Sequence, residues 1–196
     1  MKKHKKIAIT GGIGSGKSLA TETIKNAGYF TLSSDEIVKE LYDKPEIRKI
    51  LKPIFPTAIG DAPDYLLDRK KISAIAFSDK AKHKELTDTV TPLVLKEIEL
   101  KSETANRDAF VEVPLLFECG YDKFFDQVIV VTRPTEDRIN SVMARSNLTK
   151  DEVIARINNQ VNYDNLDLSP FNVIANDNDV ESFKKKVLEK IKELTI

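Results

Sequence analysis

"KIAITGGIGSGKSLATETI", from Lys6 to Ile24, runs an apolar stretch straight into four glycines, a lysine and a serine. Glycine loses more backbone freedom on folding than any other residue, so a cluster of them needs a compensating role. The spacing Gly11-x-x-x-x-Gly16-Lys17-Ser18 supplies one. It is the pattern of a phosphate-binding loop, and it stands where such a loop must stand, between a strand and a helix. Small residues let successive backbone N–H groups curve around a polyphosphate, and the following helix turns its positive end to the same anion. The spacing does not suit a dinucleotide fingerprint, because Lys17 occupies the place of the third glycine after Gly12 and Gly14. The expected ligand is a nucleoside triphosphate.

A strand feeding such a helix predicts a parallel α/β sheet, and the rest of the chain repeats the alternation. "KKIAIT" reads as a buried strand and "KSLATETIKNAG" as a helix stopped at Gly28. "YFTL" reads as a second strand, followed by a helix over "SSDEIVKELYD" with Ser34 and Asp35 as candidate caps. From Pro45 to Pro63 the pattern breaks up around Pro53, Pro56 and Gly60. Helices are expected over Arg69–Phe77 and from Asp79 to about Lys101. "DAFVEVPLLF" begins as a strand ended by Pro114, and "DQVIVVT" is the clearest buried strand of all. Two further helices, Thr135–Ser146 and Thr149–Asn162, precede a last strand in "FNVIAN". A closing amphipathic helix places Val180, Phe183, Val187, Leu188 and Ile191 on one side. The expectation is one domain over 1–196, a sheet of about five strands flanked by helices. Two stretches are expected to project from it, roughly 44–102 and 138–167. Ligands of such sheets sit beyond the carboxyl ends of the strands.

The chain's charges balance, 31 lysines and arginines against 31 aspartates and glutamates, so any anion site must be local. Nucleic-acid and membrane partners are therefore not expected. "MKKHKK" before "IAIT" imitates a signal peptide, but the apolar part is too short and runs into Lys17; it reads as a solvated end. A single cysteine, Cys119, rules out an internal disulfide and suits a cytoplasmic protein. His4 and His83 have no partner at metal-ligand spacing.

Within the loop, Lys17 suits the outer phosphates and the Ser18 hydroxyl suits the shell of Mg²⁺. The guanine-reading motifs Asn-Lys-x-Asp and Asp-x-x-Gly are absent, which disfavours a GTP switch. A motor ATPase would end an apolar strand with an aspartate, yet "VIVV" ends in Thr132 and Arg133. Asp35, after the second strand, can receive a hydroxyl proton; helix capping is its competing role.

Several segments together resemble the dephospho-coenzyme A kinase family. "TGGIGSGKS" is close to that family's phosphate loop, and "SSDEIVKELY" looks like its Asp-Ala-Asp motif, with Asp35 on the second aspartate. "LDRKKISAIAF" looks like a segment supplying Asp68, Arg69 and Phe77. "TPLV" matches a His-Pro element at Thr91 and Pro92, and "VPLLFECGY" matches Pro-Leu-Leu-Phe-Glu. "MARSNLT…RINNQ" looks like a lid with Arg145 and Gln160, and "VIAN" like an Ile-x-Asn ending at Asn176. The chain departs from the pattern at Ser33, Thr91, Ser141 and Leu19, and Arg138, one turn before Ser141, is a candidate substitute for the arginine missing there.

The resemblance implies a P-loop kinase fold with a substrate-binding insert at 44–102 and a lid at 138–167. It implies transfer of the ATP γ-phosphoryl group to the ribose 3′-hydroxyl of dephospho-CoA, with Mg²⁺ accompanying ATP. Asp35, Lys17 and Arg145 are the implied catalytic residues. ATP contacts are expected from Gly12, Ile13, Gly14, Ser15, Gly16, Lys17, Ser18, Leu19, Arg145 and Asn176. Acceptor contacts are expected from Asp35, Arg69, Phe77, Thr91, Pro92, Leu116, Glu118 and Gly120. Another small-molecule kinase and a nucleotide-gated binding module stand as alternatives, and the oligomeric state is left open.

Overall fold

A computed structural model describes residues 4–195. Part of the basic start read as a solvated end, residues 1–3, lies outside them. The chain divides into two compact units, 1–33 with 101–196, and 34–100.

The first unit is built on five parallel strands: β1 (Lys6–Thr10), β2 (Phe30–Ser33), β3 (Ala109–Glu112), β4 (Gln127–Thr132) and β5 (Asn172–Ala175). Their order across the sheet is β2-β3-β1-β4-β5. β1 is therefore central, with Ile9 in register with Glu112 of β3 and Ile129 of β4. All five β1 residues are buried, as are Val128, Ile129, Val130 and Val131 of β4. Continuous apolar strands of this kind are what a sheet covered on both faces requires. On one face α1 (Lys17–Asn26) and α8 (Val180–Leu194) pack through Ala20, Ile24, Phe183, Val187 and Ile191 against Ile7, Ile9, Phe110 and Ile129. Leu188 is packed at the edge of that core and Val180 is exposed, so the expected apolar side of α8 is narrower at its start.

After β4 come α6 (Thr135–Arg145) and α7 (Lys150–Asn158). They pack together through Ile139, Val142 and Val153, and Ile13 of the glycine loop joins this cluster. Thr149 caps α7 with Glu152 as its reciprocal partner, so α7 starts one residue later than the helix expected from Thr149 and stops four residues earlier. A lid starting at 138 would begin inside α6, at a residue that is buried.

The second unit is helical: α2 (Ser34–Asp43), α3 (Pro45–Leu51), α4 (Arg69–Ser78) and most of α5 (Lys80–Ala105). It has its own core, including Ile37, Leu41, Leu51, Phe55, Ile72 and Ile98. α3 is a helix where the proline-rich stretch was expected to be irregular. Pro45 stands in its first turn, where the missing N–H costs nothing, and the helix ends before Pro53. Pro92 is carried inside α5, on its exposed side. Ser34 and Asp35 are both inside α2 rather than ahead of it, so neither occupies the cap position.

Candidate active site in the glycine loop

Between β1 and α1 the chain turns through Gly11, Gly14 and Gly16, all with positive φ. Gly16 shows why no other residue serves: its φ is +107°, and a Cβ there would lie 2.5 Å from Asn176 Nδ2. Asn176 follows β5, is buried, and donates from Nδ2 to the Ser15 carbonyl at 2.8 Å. One of its two side-chain N–H donors is thus spent on shaping the loop. Ser15 Oγ is buried with no hydrogen-bond partner, on a residue 1% exposed. A donor left so is costly unless something polar arrives to use it.

Lys17 opens α1 and folds back over the loop, donating from Nζ to the carbonyls of Gly11 at 2.7 Å and Gly12 at 3.1 Å. Burial pushes its pKa down to about 8, Glu112 opposes the fall, and Arg145 and Arg138 add to it. An anion brought to this ammonium therefore meets a cation that has already lost much of its water.

Ser18 donates from Oγ to Glu112 Oε1 at 2.9 Å. Glu112 is the last residue of β3, the strand beside β1. β4 ends in Thr132 and is followed by Arg133, so the carboxylate that ends a strand beside β1 is on β3 instead. Its signal was present in "AFVE", an apolar strand ended by an acid, but only the strand order brings it to Ser18. A hydroxyl and a carboxylate are hard oxygen donors and fit Mg²⁺, which keeps several waters and takes few protein ligands. No cluster of three or more acidic, histidine or cysteine ligands exists among the described residues.

The loop is braced from the far side. Arg138 donates from Nε to the Ile13 carbonyl at 3.0 Å, and the Ile13 N–H donates to Gln160 Oε1 at 2.7 Å. Arg138 is 4% exposed, and burial lowers its pKa against the opposing pull of Asp164 and Tyr163. Tyr163 bonds Thr10 Oγ1 at 3.2 Å, and burial pushes its hydroxyl up to about 12. Glu118 accepts from the Val161 N–H at 2.9 Å.

The structure thus brings together Gly12, Ile13, Gly14, Ser15, Gly16, Lys17, Ser18 and Asn176. Arg145 ends α6 close enough to weigh on the Lys17 charge. Leu19 turns its side chain toward the core, leaving its backbone for any nucleotide contact. Leu116 is fully buried and packs in the core. Gly120 lies on an exposed turn with open space around it.

The remaining expected residues belong to the helical unit. Asp35 is exposed on the first turn of α2. Arg69 is paired with Asp43 at 2.6 Å and also donates to the Lys39 carbonyl. Asp68 caps α4 by accepting from the Lys71 N–H. Phe77 is 81% exposed, and Thr91 donates its hydroxyl to the Thr87 carbonyl.

A five-stranded parallel sheet of this order, with a glycine loop, lysine and serine leading from the central strand into a helix, defines the P-loop kinase class. Residues 5–182 match the family model described as dephospho-CoA kinase. The chain belongs to that family. A dephospho-CoA kinase of Lactobacillus johnsonii is 33% identical over 193 residues, 96% of this chain and 97% of its own. A crystal structure from Thermus thermophilus superposes with a TM-score of 0.82 at 31% identity, covering all of both chains. The structure of a dephospho-CoA kinase from Campylobacter jejuni superposes at 0.70 with 26% identity, covering 98% of each. Among the described residues no helix is long and apolar enough to cross a membrane.

Proposed function

We propose that this protein transfers the γ-phosphoryl group of ATP to the ribose 3′-hydroxyl of dephospho-CoA, giving coenzyme A and ADP. The observation that carries the reading is the loop itself: a desolvated Lys17, an unpartnered buried Ser15 hydroxyl and glycine backbone arranged at a helix start, within a family of dephospho-CoA kinases.

Phosphoryl transfer through a loose transition state needs positioning and charge neutralisation more than covalent help. The loop amides and Lys17 receive the β- and γ-phosphates; to do so Lys17 exchanges the Gly11 and Gly12 carbonyls for phosphate oxygens. Ser18 and Glu112 would hold Mg²⁺, which would supply positive charge to neutralise the phosphates. Asp35 orients the acceptor hydroxyl and takes its proton. Arg145, at the end of α6, adds positive charge over the transferring group, and the α6–α7 pair serves as the lid that limits water. The helical unit holds the acceptor, with Arg69, Phe77, Thr91 and Pro92 as its contacts; Arg69 must then share its guanidinium between Asp43 and a phosphate. Glu118 and Gly120 line the acceptor side beyond β3.

The test is mass spectrometry of the products formed from Mg-ATP and dephospho-CoA, with AMP and gluconate as competing acceptors. Coenzyme A formed from dephospho-CoA alone is the expected result. Equal phosphorylation of another acceptor, or none of dephospho-CoA, overturns the assignment.

A further inference from the structure

Ile13 stands at the third position of the loop, and both halves of its peptide neighbourhood are occupied by one helix pair. Its carbonyl accepts from Arg138 of α6 at 3.0 Å. Its N–H donates to Gln160, just beyond α7, at 2.7 Å. Its side chain packs against Ile139, Val142 and Val153 of the same two helices. The loop presses back: a Cβ on Gly12 would lie 2.4 Å from Arg138 Nη2, and one on Gly14 would lie 2.6 Å from the Arg138 carbonyl. Arg138 and Gln160 also flank one shared cavity of about 240 Å³. Arg138 is thus held by contact with the glycines as well as by its hydrogen bond, and Gln160 by its bond to the Ile13 N–H.

We infer that Arg138 and Gln160 are positioning residues that clamp the Ile13 peptide from both sides and so lock the α6–α7 pair, with Arg145 at its end, to the phosphate loop. The inference rests on the nucleotide reading of the loop given above. Two consequences follow from the geometry. With its peptide held by the helix pair, Ile13 gives the loop a fixed pivot, and the turn through Gly14 to Lys17 keeps the curvature a triphosphate needs. And the distance from Arg145 to Lys17 is set by the clamp, because α6 carries both Arg138 and Arg145.

The experiment uses the full chain and ATP binding by calorimetry, which needs no acceptor. Gln160→Met keeps the side-chain length and removes the acceptor; Arg138→Lys keeps the charge and removes the fork. Each is expected to weaken ATP binding about tenfold, the effect of one lost hydrogen bond, while the dephospho-CoA KM stays within twofold. Combined, they are expected to fall short of the product of the two, since both act on the backbone of one residue. ATP binding within twofold of wild type in Gln160→Met, multiplicative effects in the double variant, or equal losses for both substrates overturn the clamp. Should wild-type protein bind ATP yet leave dephospho-CoA unmodified, the proposed function fails while the clamp is still decided by the binding data.

Discussion

The Ser18 hydroxyl donates to Glu112 at 2.9 Å across 94 residues of sequence, joining the first turn of α1 to the end of β3. The bond aims a hydroxyl and a carboxylate at the same small volume beside Lys17, whose charge Glu112 supports. Glu112→Gln keeps the hydrogen bond to Ser18 and removes the negative charge. The magnesium concentration for half-maximal activity is expected to rise at least about 10-fold, since losing a charged ligand costs no less than losing a partner behind one. ATP affinity without metal is expected to change little. An unchanged magnesium requirement would remove Glu112 from the site.

Asn176 supports the loop from β5 through one buried bond to the Ser15 carbonyl. Asn176→Ala leaves that carbonyl without its donor, at a cost of about 1–3 kcal/mol measured by urea unfolding. Asn176→Asp is expected to be worse for nucleotide than for stability, since it sets a carboxylate against a carbonyl oxygen beside the triphosphate. Equal ATP affinity in the two variants would show that Asn176 acts on the fold alone.

These two contacts mark the limit of what local pattern reveals. The β-branched run of β4 and the glycine loop are legible because their signals lie within a few residues. α3 is hidden because three prolines around it read as irregular chain, although Pro45 sits where a helix tolerates it. Glu112 and the Ile13 clamp are different. Each depends on strand order or helix packing that brings together residues about a hundred positions apart. Leu116 shows that a motif resembling a ligand-contacting segment also contains residues that anchor it to the core.

Asp35 is the second residue of α2, on an exposed first turn shortly after β2. As the group that takes the acceptor proton it is needed for transfer and not for nucleotide binding. Asp35→Asn is expected to leave ATP affinity within a few-fold and to lower kcat by about a hundredfold or more, the range of a lost general base. Rapid-quench measurement of the phosphorylated product separates the two steps. Unchanged turnover would return Asp35 to a surface role on α2.

Lys17 connects the site to pH. Its pKa near 8, below the usual 10.5, means that above pH 8 the ligand-free loop increasingly holds a neutral amine while the unfolded chain stays charged. The folded state then binds fewer protons than the unfolded one, so this residue makes stability rise with pH between about 8 and 10.5. Triphosphate acts in the opposite sense, because it favours the ammonium form. ATP affinity is therefore expected to be flat below pH 8 and to fall above it, with uptake approaching one proton per ATP bound near pH 9. Calorimetry in buffers of different ionisation enthalpy counts that proton, and Lys17→Arg, which cannot deprotonate, is expected to abolish the uptake. Proton release on binding, or the same uptake in the arginine variant, would assign the titration to another group.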